Sequence, residues 1–398
     1  MVSSEMLKLG QVRSVIREMF EYGNKRAAEI GRENVFDYSL GNPSVAAPDI
    51  VNETLIDLIK NEDSVKLHSY TSAPGDPIVR GVIADNLNKE YGTTFSANNI
   101  YITTGAAAAL SITFKALAEK DDEFIVFAPF FPEYRVFIEN TGAKVSVVKC
   151  REEDFQIDFD ALKKSINKNT KAVIINSPCN PSGVVFSEET ITELCKVLYN
   201  AEKEFGHPIF LISDEPYREL VYDNINVPFV PKYYKNTIVC YSFSKSLSIP
   251  GERIGYILIN DQSVDPKLIF EAVAGAGRAL GYVCASSMFQ KLIPVCMGKT
   301  ADISIYKKNR DILCSALSEY GFSLPSPDGA FYLFLKALED DANRFCENAK
   351  KYELLLVPGD SFGYPGYVRI SYCVSTEQIE KSLPAFKKLA DAYKNGEF

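Results

Sequence analysis

The chain has 398 residues, 46% of them hydrophobic and 24% charged, with a net charge of -9. That length allows two domains at about 100–200 residues each, the composition is ordinary for a globular protein, and the negative balance argues against an extended nucleic-acid footprint. Nine cysteines without CxxC pairs, and only two histidines, make a poor zinc site and a poor disulfide framework, so no metal is expected and a reducing, cytoplasmic setting fits best.

Met1 to Gly31 is rich in Glu, Lys and Arg and lacks a long apolar stretch, so no signal peptide is expected. From about Ser4 to Gly31, Leu7, Val12, Val15, Ile16 and Phe20 recur near helical spacing, which predicts an amphipathic helix packed on the body or on a partner subunit. Nowhere does an apolar run approach the ~18 residues of a membrane helix. From Asn99 onward the pattern is strand, turn, helix, repeated. Ile100-Tyr101-Ile102 leads through Thr103-Thr104-Gly105 into an alanine-rich helix, Ala106 to Leu117. Further apolar runs follow at Phe124–Phe127, Ala172–Ile175, Ile209–Ile212 and Thr237–Tyr241. They are continuous rather than alternating, the signature of strands buried on both faces in a mainly parallel sheet. In such sheets ligands collect beyond the carboxyl ends of the strands, and polar clusters follow each end here: Asn176-Ser177-Pro178, Ser213-Asp214-Glu215-Pro216 and Ser242. After about Ser286 a helical stretch broken near Pro294 precedes mixed segments such as Ala330–Leu335 and Val368–Ser371, which reads as a smaller α+β domain completed by the N-terminal helix. No internal repeat stands out.

The most informative stretch is Ser242-Phe243-Ser244-Lys245-Ser246, with Arg253 eight residues after Lys245. A lysine at the end of a strand can form a Schiff base with an aldehyde. Serine hydroxyls and an arginine fork beside it suit a phosphate. A cofactor carrying both groups is pyridoxal 5'-phosphate. Taken alone, most lysines are solvated surface charges, and Asn-Pro and Asp-Glu-Pro are ordinary turn formers; it is the combination that points to chemistry.

From Leu40-Gly41-Asn42-Pro43 to Val368-Arg369-Ile370-Ser371, in order and at approximately the same spacing, the motifs resemble those of class I aminotransferases, in the aspartate aminotransferase superfamily of fold-type-I pyridoxal phosphate enzymes. The resemblance implies a large α/β domain, residues 47–285, with a mainly parallel seven-stranded sheet flanked by helices, and a small domain formed by residues 1–46 and 286–398. It implies Lys245 as the Schiff-base lysine and proton carrier. Asp214 and Tyr217 match the family's D-x-x-Y, with the carboxylate keeping the pyridine nitrogen protonated and the phenol donating to the ring oxygen, where Asn180 of Asn176-Ser177-Pro178-Cys179-Asn180-Pro181 would also reach. Ser242 and Arg253 match phosphate ligands, and Ser244 adds a hydroxyl. Gly105, Ala106 and Ala107 open a helix whose N–H groups and dipole would meet the phosphate. Phe131 falls at the ring-stacking position, with Phe130 as the alternative. Tyr70 resembles the tyrosine that reaches the phosphate of the neighbouring subunit, which implies a homodimer with shared active sites.

Arg369 matches the arginine that grips the substrate α-carboxylate two-pronged, fixing which Cα bond lies across the ring, and Gly41 lies near the same carboxylate. Arg278, thirty-three residues after Lys245, lies near the offset at which dicarboxylate-specific relatives place an arginine for the distal carboxylate, although their following Y-S-N-P-P is absent. The implied reaction moves the amino group of an aspartate, aromatic or other amino acid to a 2-oxo acid such as 2-oxoglutarate. A C–S β-lyase on the same fold shares nearly all these motifs. The aminotransferase-like domain of a transcription regulator would need a DNA-binding domain before residue 40, where the resemblance begins.

Overall fold

The computed structural model describes residues 2–11, 15–325 and 327–398. Twelve strands lie among them: β1 Phe36–Asp37, β2 Ile100–Thr103, β3 Glu123–Ala128, β4 Lys144–Lys149, β5 Thr170–Asn176, β6 Phe210–Asp214, β7 Thr237–Ser242, β8 Gly255–Ile259, β9 Tyr332–Lys336, β10 Leu354–Leu355, β11 Val357–Pro358 and β12 Tyr367–Ser371. Seven form one sheet in the order β2-β8-β7-β6-β5-β3-β4. Only β8 opposes its neighbours; the pairs from β7 across to β4 are parallel. Every residue of β6 and β7 is buried. Helices therefore cover both faces, which is why the runs read as continuously apolar. Each fully buried Val, Leu or Ile there contributes about 1.5–3 kcal/mol.

Two strands of the seven-stranded sheet lie outside the expected set. β4 is an edge strand, largely open to solvent, so its sequence lacks the apolar run that marks an inner strand. β8 is entirely buried and begins at Gly255, two residues after Arg253. The helix Ala106–Leu117 falls where expected; Ala108, Ala109, Ile112 and Thr113 are its buried face, and small alanines let it approach the sheet closely.

A three-stranded antiparallel sheet, β11-β12-β9, forms the second layer system. Its core joins Phe331, Leu333 and Ile370 to Leu313 and Leu317 of the helix Ser304–Tyr320 and to Phe386 and Leu389 of the helix Thr376–Lys394. The helix Ser287–Cys296 packs elsewhere: Leu292, Ile293 and Cys296 share a cluster with Val239 and Tyr256 of the large sheet. Pro294 is tolerated inside it, close to its end.

In the N-terminal segment helix is described over Ser4–Gln11 (α1) and over Val15–Ile30 (α2); Val12 lies outside the described residues. None of α1 is buried, and Leu7 is exposed. On α2, Val15 and Ile16 pack against the large-sheet core, while Met19 joins Val35 and Leu355. Among the described residues no helix is long and apolar enough to cross a membrane.

Candidate active site

Parallel strands point their carboxyl ends the same way, so β5, β6 and β7 deliver Asn176, Asp214 and Ser242 to one rim. Asn176 is paired in register with Asp214 and donates to its backbone carbonyl at 2.8 Å. The Asn176 side chain also accepts from the N–H of Asn180 at 2.7 Å. Asn180 in turn accepts from Arg369 Nη1 at 3.0 Å. One hydrogen-bonded chain thus runs from the strand ends to β12 of the small sheet.

A cavity of about 530 Å³ opens on this rim. Lys245, Asp214, Tyr217 and Asn180 line it, together with Ser242, Ser244 and Arg253. Ala106, Ala107 and Phe131 form another wall, and Gly41 and Arg369 close it from the small-sheet side. Gly105 sits just behind: its φ is +92°, and a Cβ there would lie 2.8 Å from Arg253 Nη2. Two of the expected residues are not brought in. Tyr70 is 90% exposed and, like Arg278 in the last turn of the helix Pro266–Ala279, does not line the cavity of its own chain.

Lys245 occupies a short helical turn, Phe243–Ser246, capped by the Ser242 hydroxyl. Its Nζ donates to the Gly41 carbonyl at 2.8 Å and stands 5.3 Å above the Phe331 ring. Burial, with Arg253 and Arg369 nearby, lowers its pKa to about 8, against a smaller opposing effect from Cys373. An amine so poised spends an appreciable fraction of its time deprotonated at neutral pH, as a nucleophile or base must.

Asp214 accepts from the Tyr134 hydroxyl through Oδ2 at 2.5 Å. Its Oδ1 is buried and has no hydrogen-bond partner. Burial pushes the carboxyl up to about 7, opposed by the Tyr134 hydrogen bond and reinforced by Glu215. Arg369 repeats the pattern. It is 2% exposed, its Nη2 donates to the Ser39 carbonyl, and its Nε has no partner. Unsatisfied buried polar atoms are rare and ask for an explanation. Tyr217 donates to or accepts from Tyr332 at 2.8 Å, and Tyr332 lies 4.8 Å below the Arg369 guanidinium. Ser242 and Ser244 hydroxyls are 2.7 Å apart.

Tyr332, Ile16 and Leu40 line the cavity and Tyr134 supports Asp214 from outside it; none of the four carried a site role in the sequence reading. Tyr134 was hidden because it lies three residues beyond Phe131, in the following helix Glu133–Glu139, and its partner is 80 positions away. Tyr332 lies in a segment that reads as scaffold. Ile16 and Leu40 line the outer end of the cavity, and only the folded chain brings them there.

The group that would satisfy this site needs an acidic N–H for Asp214 Oδ1, a flat ring for Phe131 and an anion for the Arg253, Ser242 and Ala106 end. Pyridoxal phosphate has all three features, so the residues fit it. The chain matches the model of the family "Aminotransferase class I and II" over residues 33–386. It belongs to that family.

Pyridoxal phosphate is the cofactor of class I and II aminotransferases, and this member carries their fold and their transferase chemistry. A crystal structure of an amino transferase from Eubacterium rectale is 58% identical, superposes with a TM-score of 0.97, and covers 98% of this chain and 99% of its own. The probable aspartate aminotransferase of Methanocaldococcus jannaschii is 29% identical over 94% of this chain and 96% of its own. A probable aspartate/prephenate aminotransferase of Aquifex aeolicus is 30% identical over 89% and 91%.

Proposed function

We propose that this aminotransferase moves the amino group of an L-amino acid, aspartate or an aromatic or broader set, to a 2-oxo acid, with 2-oxoglutarate as acceptor. The observation that carries the reading is the convergence of Lys245, the open Asp214 Oδ1 and the open Arg369 Nε on one cavity. When bound, the cofactor supplies an aldehyde for the amino group and an electron sink for the Cα–H bond. Arg253, Ser242, Ser244 and the N–H groups of Ala106 and Ala107 hold its phosphate; Phe131 packs on its ring; Asn180 and Tyr217 reach the ring oxygen. Asp214 accepts the ring N–H. Arg369, already aligned by Asn180 and Ser39, takes the substrate carboxylate, and Gly41 borders it. Lys245 Nζ carries the proton that leaves Cα.

The aspartate preference has the names of the M. jannaschii and A. aeolicus relatives behind it. Within one chain the cavity lining joins Ile16, Leu40 and Phe137 to Arg17 and Glu133, and its apolar part suits aromatic or aliphatic side chains as well. Arg278 would serve a distal carboxylate only from a second subunit. A homodimer supplies that subunit. Val65, Tyr70, Ile78 and Val283 are 63–90% exposed, an apolar surface that another copy would cover, and Tyr70 would then enter the partner's site. The division into a large domain, residues 47–285, and a small one, 1–46 with 286–398, is proposed on the same family pattern, although the helix Ser287–Cys296 packs on the large-sheet cluster.

A panel of single amino acids with 2-oxoglutarate, read as glutamate formed, tests the assignment. Aspartate or an aromatic amino acid should lead. Release of ammonia and pyruvate from a cysteine conjugate, without glutamate, would replace this reading with the C–S β-lyase.

A further inference from the structure

A second cavity, of about 240 Å³, borders the lysine-bearing turn. Phe243 and Ser246 line it, whereas Ser244 and Lys245 of the same turn face the cofactor cavity. Its other walls come from the helix Pro77–Tyr91, from Tyr241 and Tyr256 on β7 and β8, from Arg218 and Glu219, and from the segment after the helix Ser287–Cys296.

Its lining carries two carboxylates, Glu90 and Glu219, and two cations, Arg218 and Lys299. Arg218 is 7% exposed and is engaged by Glu215, whose Oε2 accepts from its Nε at 2.5 Å; its guanidinium also covers the Tyr241 ring at 4.8 Å. That leaves Glu219. Its Oε1 accepts from the Tyr241 hydroxyl at 2.9 Å, but its Oε2 is buried without a partner. Glu90 lines the same cavity and adds a second carboxylate; burial holds the Glu219 carboxyl above its usual range, opposed by the Arg218 charge and the Tyr241 hydrogen bond and reinforced least by Glu90. Lys299 is at the mouth and exposed. A buried acceptor oxygen without a donor is a costly arrangement, and with the Arg218 charge shared between Glu215 and Glu219 it is relieved by a cation that donates hydrogen bonds.

Size and lining narrow the class. Water occupies about 30 Å³ per molecule, so the cavity holds several heavy atoms, more than a bare ion needs. Leu87, Phe243 and Met297 give it an apolar side. We propose that this cavity is a second ligand site, for a small organic ammonium ion: Glu219 and Glu90 accept its N–H groups, and its short hydrocarbon body lies on the apolar side. The Ala301 N–H donates to the Ser246 carbonyl at 2.7 Å. The segment that walls the cavity is therefore tied to the turn that carries Lys245, and an occupant touches both.

The ammonium group could belong to a free amine or to an amino acid. Thermal unfolding of the holoenzyme in propylamine, β-alanine and the neutral 1-propanol separates these, with the cofactor's visible band recorded alongside. Propylamine should raise Tm saturably and 1-propanol should not, with the visible band unchanged. Glu219→Gln, and independently Glu90→Gln on the solvent-facing side of its helix, should each weaken the response about tenfold or more. An equal response to β-alanine, lost in the same variants, assigns the site to amino acids; a response to propylamine alone assigns it to free amines. Should both variants respond like the wild type, should propylamine act no differently from 1-propanol, or should the response track the visible band, the cavity is a water pocket and the proposal fails.

Discussion

Asp214 and Glu215 are neighbours at the end of β6, and the fold treats them oppositely. Glu215 is closed: Oε1 accepts from the Ser213 hydroxyl at 2.6 Å and Oε2 from Arg218 Nε at 2.5 Å. Asp214 is left half open, with Tyr134 on one oxygen and nothing on the other. Adjacent residues of a strand face opposite ways, so one carboxylate serves the packing behind the sheet and the other the cavity. Chemistry is concentrated where polar satisfaction stops.

The two sides should therefore fail differently when broken. On the open side the largest effect belongs to Lys245→Ala, which should lower transamination by about 10²–10⁴-fold or more and abolish borohydride-reducible cofactor, with urea unfolding little changed. Arg369→Ala should follow, lowering kcat/KM by roughly 10²–10³-fold through loss of a buried charge contact; steady-state kinetics with a keto-acid series would read it. On the closed side, Glu215→Gln leaves the Arg218 charge buried and poorly paired, and should cost about 3–5 kcal/mol of stability in denaturant titration. Its kcat should stay near wild type; a fall as large as that of Lys245→Ala would erase the contrast.

The smallest effect is a pH slope in the apo form. The Asp214 carboxyl is raised from 3.8 to about 7, so between those values the native state binds more protons than the unfolded one. Stability is then fully present below about 4 and is lost as pH rises through about 7. Tyr134→Phe removes the hydrogen bond that opposes the rise, and should carry the falling limb to higher pH. Asp214→Asn should flatten it. Chemical unfolding of the apo form across this range measures both.

Much of this was legible in the sequence. Doubly buried strands announce themselves as continuous apolar runs, which is why β3, β5, β6 and β7 were readable and the solvent-facing edge strand β4 was not. Residues in local motifs, such as Asp214, Asn180, Lys245 and Arg253, could be singled out because turn chemistry places them beside a strand end. Tyr134 and Tyr332 could not. Their meaning lies in partners 80 and 115 positions away, and no local pattern encodes such a pairing. Nor does sequence reveal which carboxylate of the pair at 214 and 215 is open: Arg218 lies only three residues beyond Glu215, but Tyr134 reaches Asp214 from 80 positions away.

The most direct test of amino-group transfer is a half-reaction. Holoenzyme is mixed with one reactive L-amino acid, aspartate first, without any 2-oxo acid, and the products are counted per site. The account predicts one equivalent of 2-oxo acid and no ammonia, with the amino group retained by the protein–cofactor complex and returned as glutamate when 2-oxoglutarate is added. Continuous turnover without an acceptor, releasing ammonia, would contradict it.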